Sequence, residues 1–296
     1  MRRSVCHSFA GAVGAGAVLL LTVSAGAQIL FEADWGTGSI YEFTTNGVRS
    51  TFASGLQEPS ALAFNSAGDL FEADVDSGNI NEFTTNGARS TFASGLSYPL
   101  GLAFNSAGDL FVGDVDSGNI YEYTTNGVRS TFASGFEWPW GLAFNSAGDL
   151  FAADEMSGKI YEFTTNGVRS TFASGLGGPH GLAFDSAGNL FVADYSDNIY
   201  EFTFSGMMST FASGSSHPMG LAFDSAGDLF MSDTSGYIWE FPPNGGVSMF
   251  ASGLSIPQGL AFEEAIPEPS TWTLVGLGLS ALLVFRRRSV GSVSGE

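Results

Sequence analysis

The chain has 296 residues, of which 44% are hydrophobic and only 14% charged, and 30 acidic against 10 basic residues give a formal charge of −20. The apolar content excludes a disordered chain, and the length suits two average domains or one large all-β domain. Between residues 28 and 265 the balance is 5 basic against 28 acidic residues, or −23, and of the basic ones (Arg49, Arg89, Arg129, Lys159 and Arg169) the four arginines sit at one fixed repeat position rather than forming a patch. That pattern argues against a nucleic-acid partner.

The first 27 residues read as a secretory signal peptide. Arg2 and Arg3 give the positive start, residues 10–23 a small and apolar core, and Ala25-Gly26-Ala27 an A-x-A cleavage site. A retained anchor is the weaker reading, because the apolar core is short for a span. Cys6, the only cysteine, lies inside this segment, so the mature chain is expected to have neither a disulfide nor a catalytic thiol.

Residues 28–265 are one unit repeated. Leu-Phe recurs at Leu30, Leu70, Leu110, Leu150, Leu190 and Leu229, a spacing of 40 that ends with one of 39. Thr-Phe-Ala-Ser-Gly occurs five times, and Met249-Phe250-Ala251-Ser252-Gly253 is the sixth copy. In one unit the pattern predicts strands over 101–104, 110–114, 120–124 and 128–133. Asn105-Ser106-Ala107-Gly108-Asp109 marks the first turn, and Asn126-Gly127 a tight hairpin needing positive φ. The strands are expected to be apolar on both faces, as in sheets stacked between neighbours. No unit holds a helical period, and four strands per 40 residues is a propeller blade.

The chain opens with three strands (30–53) and closes with a lone one (259–262), so joining its ends completes a sixth blade and removes the open edges. The expected fold is therefore all-β, a six-bladed β-propeller whose last blade is shared by the two ends, in preference to an open solenoid. The stretch Pro179-His180-Gly181-Leu182-Ala183-Phe184-Asp185-Ser186-Ala187-Gly188-Asn189-Leu190-Phe191-Val192-Ala193-Asp194 resembles NHL-type repeats and the six-bladed propellers related to gluconolactonases. The resemblance implies the fold; function needs a site.

Strand order puts two sets of turns on each face of the ring. One face is nearly uniform; on the other the blade-to-blade connections differ, from Gln57-Glu58-Pro59-Ser60 to Glu137-Trp138-Pro139-Trp140 and Ser216-His217-Pro218-Met219. Variation on one face of a rigid scaffold is what a ligand surface produces. The candidates there are Trp35, Tyr98, Trp138, Trp140, Tyr195, His180 and His217, whose rings suit sugar faces, with Glu58 and Glu137 as acceptors. The competing reading is that these loops drift unconstrained and the aromatics cover blade ends.

Six aspartates end the second strands: Asp34, Asp74, Asp114, Asp154, Asp194 and Asp233. They are read as caps bonding the backbone N–H groups of their own turns, with a ring of calcium ligands as the lesser reading. The third-strand glutamates (Glu42, Glu82, Glu122, Glu162, Glu201, Glu240) are read likewise, and no other cofactor or metal site is expected. No G-x-S-x-G, H-E-x-x-H or phosphate loop is present. Resemblance to propeller lactonases implies a divalent ion held by an acid and an amide from distinct blades, yet near-identical blades single out no such set.

At the C-terminus, Ile266-Pro267-Glu268-Pro269-Ser270-Thr271 precedes an uncharged segment, 272–285, and then Arg286-Arg287-Arg288. Fourteen helical residues rise about 21 Å, a short membrane span with the arginines held in the cytoplasm. This three-part order resembles the PEP-CTERM sorting signal of exopolysaccharide-producing Gram-negative bacteria, although the tail from Ser289 to Glu296 is longer than usual. The resemblance implies that Pro267, Glu268 and Pro269 are recognised by an exosortase that releases the body outward from the inner membrane. The expected function is then that of an exported, exosortase-processed or membrane-anchored, non-catalytic propeller binding exopolysaccharide or surface proteins. A metal-dependent lactonase-like hydrolase and a structural spacer without a ligand are the alternatives.

Overall fold

Each 40-residue unit contains four short runs that are apolar enough to bury and too short for a helix. In the computed structural model, which describes residues 28–263, they form 24 strands in six four-stranded antiparallel sheets, with no helix among the described residues. The signal peptide with Cys6, the 272–285 segment and the Pro267-Glu268-Pro269 motif lie outside the described residues.

From the central channel outward, the first blade is Pro257–Phe262, Leu30–Asp34, Ser39–Phe43 and Arg49–Ser54. The second is Pro59–Phe64, Leu70–Asp74, Asn79–Phe83 and Arg89–Ala93, and the third Pro99–Phe104, Leu110–Asp114, Asn119–Tyr123 and Arg129–Ser134. The fourth is Pro139–Phe144, Leu150–Asp154, Lys159–Phe163 and Arg169–Ser174, and the fifth Pro179–Phe184, Leu190–Asp194, Asn198–Phe202 and Met208–Ser213. The sixth is Pro218–Phe223, Leu229–Asp233, Tyr237–Phe241 and Ser248–Ser252. The first blade takes its inner strand from the chain's end, with Leu30 opposite Phe262 and Phe31 opposite Ala261. The ring closes as the count of strands requires.

Three local expectations change. Inner strands start two residues earlier than read, at proline, where a bulge between Pro99 and Gly101 fits the extra residue. The hairpin at Asn126-Gly127 is a three-residue loop: the Gly127 N–H donates to the Thr124 carbonyl and only Gly127 has positive φ. The strands are apolar on both faces only at the second position, where every residue is buried, whereas outer strands such as Arg129–Ser134 are largely exposed.

Phenylalanine is the cement between blades. Between the third and fourth, Phe111 packs edge-on against Phe132 and Phe144 with ring centroids 5.0 Å apart, and Phe163 joins at 5.2 Å from Phe132. The same quartet recurs at all six interfaces, with Tyr123 in one of the 24 places, and so uses 23 of the 27 phenylalanines. Each edge-on pair adds about 0.5–1.5 kcal/mol beyond area burial, which makes the ring a rigid support for its loops.

Candidate functional site

Loops leaving a rigid ring are held only by what bonds them at their roots, and here the root is the aspartate ending each second strand. These six carboxylates are almost wholly buried. In five blades the aspartate accepts from the linker entering its own blade: Gln57 N–H to Asp74 at 3.0 Å, Ser97 to Asp114 at 3.0 Å, Glu137 and Trp138 to Asp154 at 3.0 and 2.7 Å, Gly177 to Asp194 at 2.9 Å, and Ser255 to Asp34 at 2.8 Å. The expected cap is thus chiefly a clamp on the incoming linker, 17 residues upstream in four blades and at Ser255 for Asp34, with own-turn bonds such as Thr37 N–H to Asp34 added. In the sixth blade Asp233 instead accepts the Trp239 indole N–H at 2.7 Å.

The linkers are also bent at their ends. Glu58, Tyr98 and His217, each directly before a proline, have φ of 64°, 75° and 50°. This left-handed conformation costs a non-glycine residue of order 1 kcal/mol or more. It aims each carbonyl at the next turn, as Tyr98 O accepts from Val115 N–H at 3.1 Å.

The loop-face candidates come together around the mouth of the channel. Trp138 lies 6.4 Å from Trp140, Trp140 lies tilted by 32° against His180 at 4.2 Å, His180 meets Tyr195 edge-on at 5.5 Å, and Tyr195 stacks on His217 at 4.1 Å. This makes a continuous arc of five rings over three blades. Trp35 and Tyr98 form a second pair 6.1 Å apart and join Trp140 in an apolar patch over Leu100, Val75 and Val115. Glu58 and Glu137 sit in the rim without joining either ring group. Trp138 and Tyr195 are 38% and 47% exposed, so the arc reaches solvent at these two rings.

His180 is buried within the arc. Its Nε2 lies 3.4 Å from Glu155 Oε1, and neither ring nitrogen has a hydrogen-bond partner among the described residues. The second residue of each inner strand differs in every blade: Ser60, Leu100, Trp140, His180, Met219 and Gln258. Below them the channel holds only about 100 Å³, because Gly101, Gly141, Gly181, Gly220 and Gly259 let each inner strand press against the next blade's backbone. A ligand therefore meets the mouth and its loops, not a through-pore.

Two residues that the repeat pattern concealed are Glu32 and Glu72, at the centre of the second strands in blades one and two, where the sister blades carry Val112, Ala152, Val192 and Met231. Both are fully buried. Burial pushes the Glu72 carboxyl up to about 8; the Asn81 amide donating to it at 2.8 Å and the more distant Arg89 pull it down, and Asp74 pushes it up. Glu32 is raised well above the carboxylate range by burial, then by Asp34, against Arg49, and neither oxygen has a partner among the described residues. The sequence signal was the middle letter of Leu-Phe-x-Ala-Asp. Among the described residues no three His, Cys, Asp or Glu side chains gather as a metal cage.

Comparison with known proteins decides what surrounds this ring. Residues 265–288 match the PEP-CTERM protein-sorting motif. The chain carries a PEP-CTERM sorting signal. The motif implies export, a membrane-anchored sorting segment and processing by an exosortase. No curated protein matches the chain. Among solved structures, a chain of a nidogen/laminin complex shares 18% identity over 80% of this chain and 98% of its own, with a TM-score of 0.71. A virginiamycin B lyase from Staphylococcus aureus shares 16% over 78% and 86%, with a TM-score of 0.62. A putative gluconolactonase shares 17% over 70% and 82%, with a TM-score of 0.63. At these identities the likeness shows the six-bladed fold and nothing finer of this PEP-CTERM chain.

Proposed function

We propose that this PEP-CTERM protein is a binding propeller displayed at the cell surface or in its exopolysaccharide matrix, which holds a glycan on its loop face without transforming it. The observation that carries this reading is the arc from Trp138 through Trp140, His180 and Tyr195 to His217. Apolar ring faces at the mouth of a rigid scaffold suit the flat faces of pyranoses, and the rim carboxylates Glu58 and Glu137 suit their hydroxyls. The body's charge of −23 selects against anionic polymers unless a divalent cation bridges them.

The test uses residues 28–265 and the host's own exopolysaccharide, with calcium and then with chelator. Saturable binding that weakens by about tenfold or more in a Trp138→Ala, Trp140→Ala variant is expected. Binding unchanged in that variant, or no binding under either condition, refutes the loop-face reading.

A further inference from the structure

Four of the six grooves between blades carry an arginine over a large apolar side chain. The groove between blades four and five keeps only the apolar one because Met208 stands at the arginine position, and the groove between blades five and six has neither. An arginine at the start of the outer strand reaches back over the groove: Arg169 lies 3.7 Å over the Tyr161 ring and donates to the Ser134 carbonyl of the preceding blade at 3.0 Å, and Arg49 and Arg129 reach Gly253 O and Gly95 O alike. Beneath it a large apolar residue from the linker fills the space: Leu56, Leu96, Phe136, Leu176 or Leu254. Between the fifth and sixth blades the arginine position is Val247 and the filler position is Ser215. The linker clamp has gone as well, since Asp233 accepts from Trp239 instead.

The consequence is a cleft of about 1110 Å³. Trp239, Tyr237, Phe241 and Phe211 supply aromatic wall, and Phe211 is 40% exposed where its counterparts are largely covered. Asp185, Asp224 and several serines supply the polar edge, and the Ser215 hydroxyl is buried with no hydrogen-bond partner among the described residues. No lysine, arginine or histidine lines the cleft among the described residues, so an anionic ligand would find no counter-charge.

We infer that this cleft is a second ligand site, separate from the aromatic arc of the loop face, that takes an uncharged oligosaccharide. A ring face lies on the Trp239 wall, hydroxyls donate to Asp224, and one hydroxyl pairs with Ser215 Oγ. Aromatic wall plus acceptors without cations is the chemistry of a neutral sugar, and the volume admits more than one pyranose.

The sister blades supply the test. Ser215→Leu with Val247→Arg restores the filler and the arginine, and Ser215→Leu alone serves if the double variant does not fold. The full-length chain, in a detergent without a sugar headgroup, is titrated calorimetrically with maltohexaose, cellohexaose, chitohexaose and an oligogalacturonate. At least one neutral hexamer is expected to bind, about tenfold or more weaker to the filled variant and unchanged in Trp138→Ala, Trp140→Ala, while oligogalacturonate does not bind. The inference is overturned if no neutral hexamer binds, if filling leaves binding intact, or if oligogalacturonate binds as well. Loss of binding only in the tryptophan variant assigns the sugar to the loop face and also overturns it.

Discussion

Glu72 should make the fold less stable as pH rises. Its carboxyl titrates near 8 in the folded chain and near 4.5 unfolded, so between those values the folded state holds one proton more. Stability then falls with pH at about 1.4 kcal/mol per unit, and from about pH 5 to about pH 8.5 this one group removes roughly 4 kcal/mol. The stabilisation is fully present below the unfolded value and is lost as pH climbs through the folded one. Glu32, raised by the same burial, acts in the same direction. Glu72→Gln keeps an oxygen to accept the Asn81 amide but cannot titrate. Urea unfolding of wild type and variant across this range should show the wild type losing roughly 4 kcal/mol more than the variant. Parallel pH profiles would refute the claim that Glu72 is buried as a neutral acid.

Two further perturbations test the scaffold. Asp154→Ala leaves the N–H groups of Glu137 and Trp138 without their acceptor, so thermal unfolding should show a loss of about 1–3 kcal/mol, and an unchanged Tm would deny the linker clamp. Gly101→Ala places a Cβ against the Trp140 carbonyl oxygen and should cost about 1–3 kcal/mol in urea unfolding, whereas Ala61→Gly at the equivalent position should cost only about 1 kcal/mol or less. Equal effects of the two would mean that the inner strands are less tightly pressed than described.

Architecture was legible because repetition multiplies a weak signal: one Asn-Ser-Ala-Gly-Asp is a loose turn hint, but several at a period of 40 fix strand number and ring closure. The loop face was legible from strand order alone, although not the order in which its rings touch, because Trp140 meets His180 only through the curvature of the ring. The same repetition concealed Glu32, Glu72 and Ser215. A consensus averages over the position that matters, and a glutamate in a strand pattern reads as solvent-facing until stacking buries both faces. The aspartates were read as capping their own turns because local bonds are visible in sequence and a partner about 17 residues back is not.

Near-identical blades make each position its own control, since any departure stands against five sisters in the same backbone setting. The departures are not scattered. Buried acids fall in blades one and two, the ring arc runs from the linker into blade four to the linker into blade six, and the unsealed cleft lies between blades five and six. The linker over residues 214–218 belongs to both of the last two: Ser215 and Ser216 line the cleft, and His217 ends the arc by stacking on Tyr195. It is also the linker that its aspartate does not hold, and His217 N–H donates instead to Asp197 at 3.0 Å. Where five linkers are fixed to a buried carboxylate, the sixth is held by that bond and by Thr234, whose N–H and hydroxyl donate to the Ser216 carbonyl at 3.2 and 3.1 Å. A ligand in the cleft and a ligand on the loop face would therefore press on the same short segment, the one linker that no buried carboxylate holds.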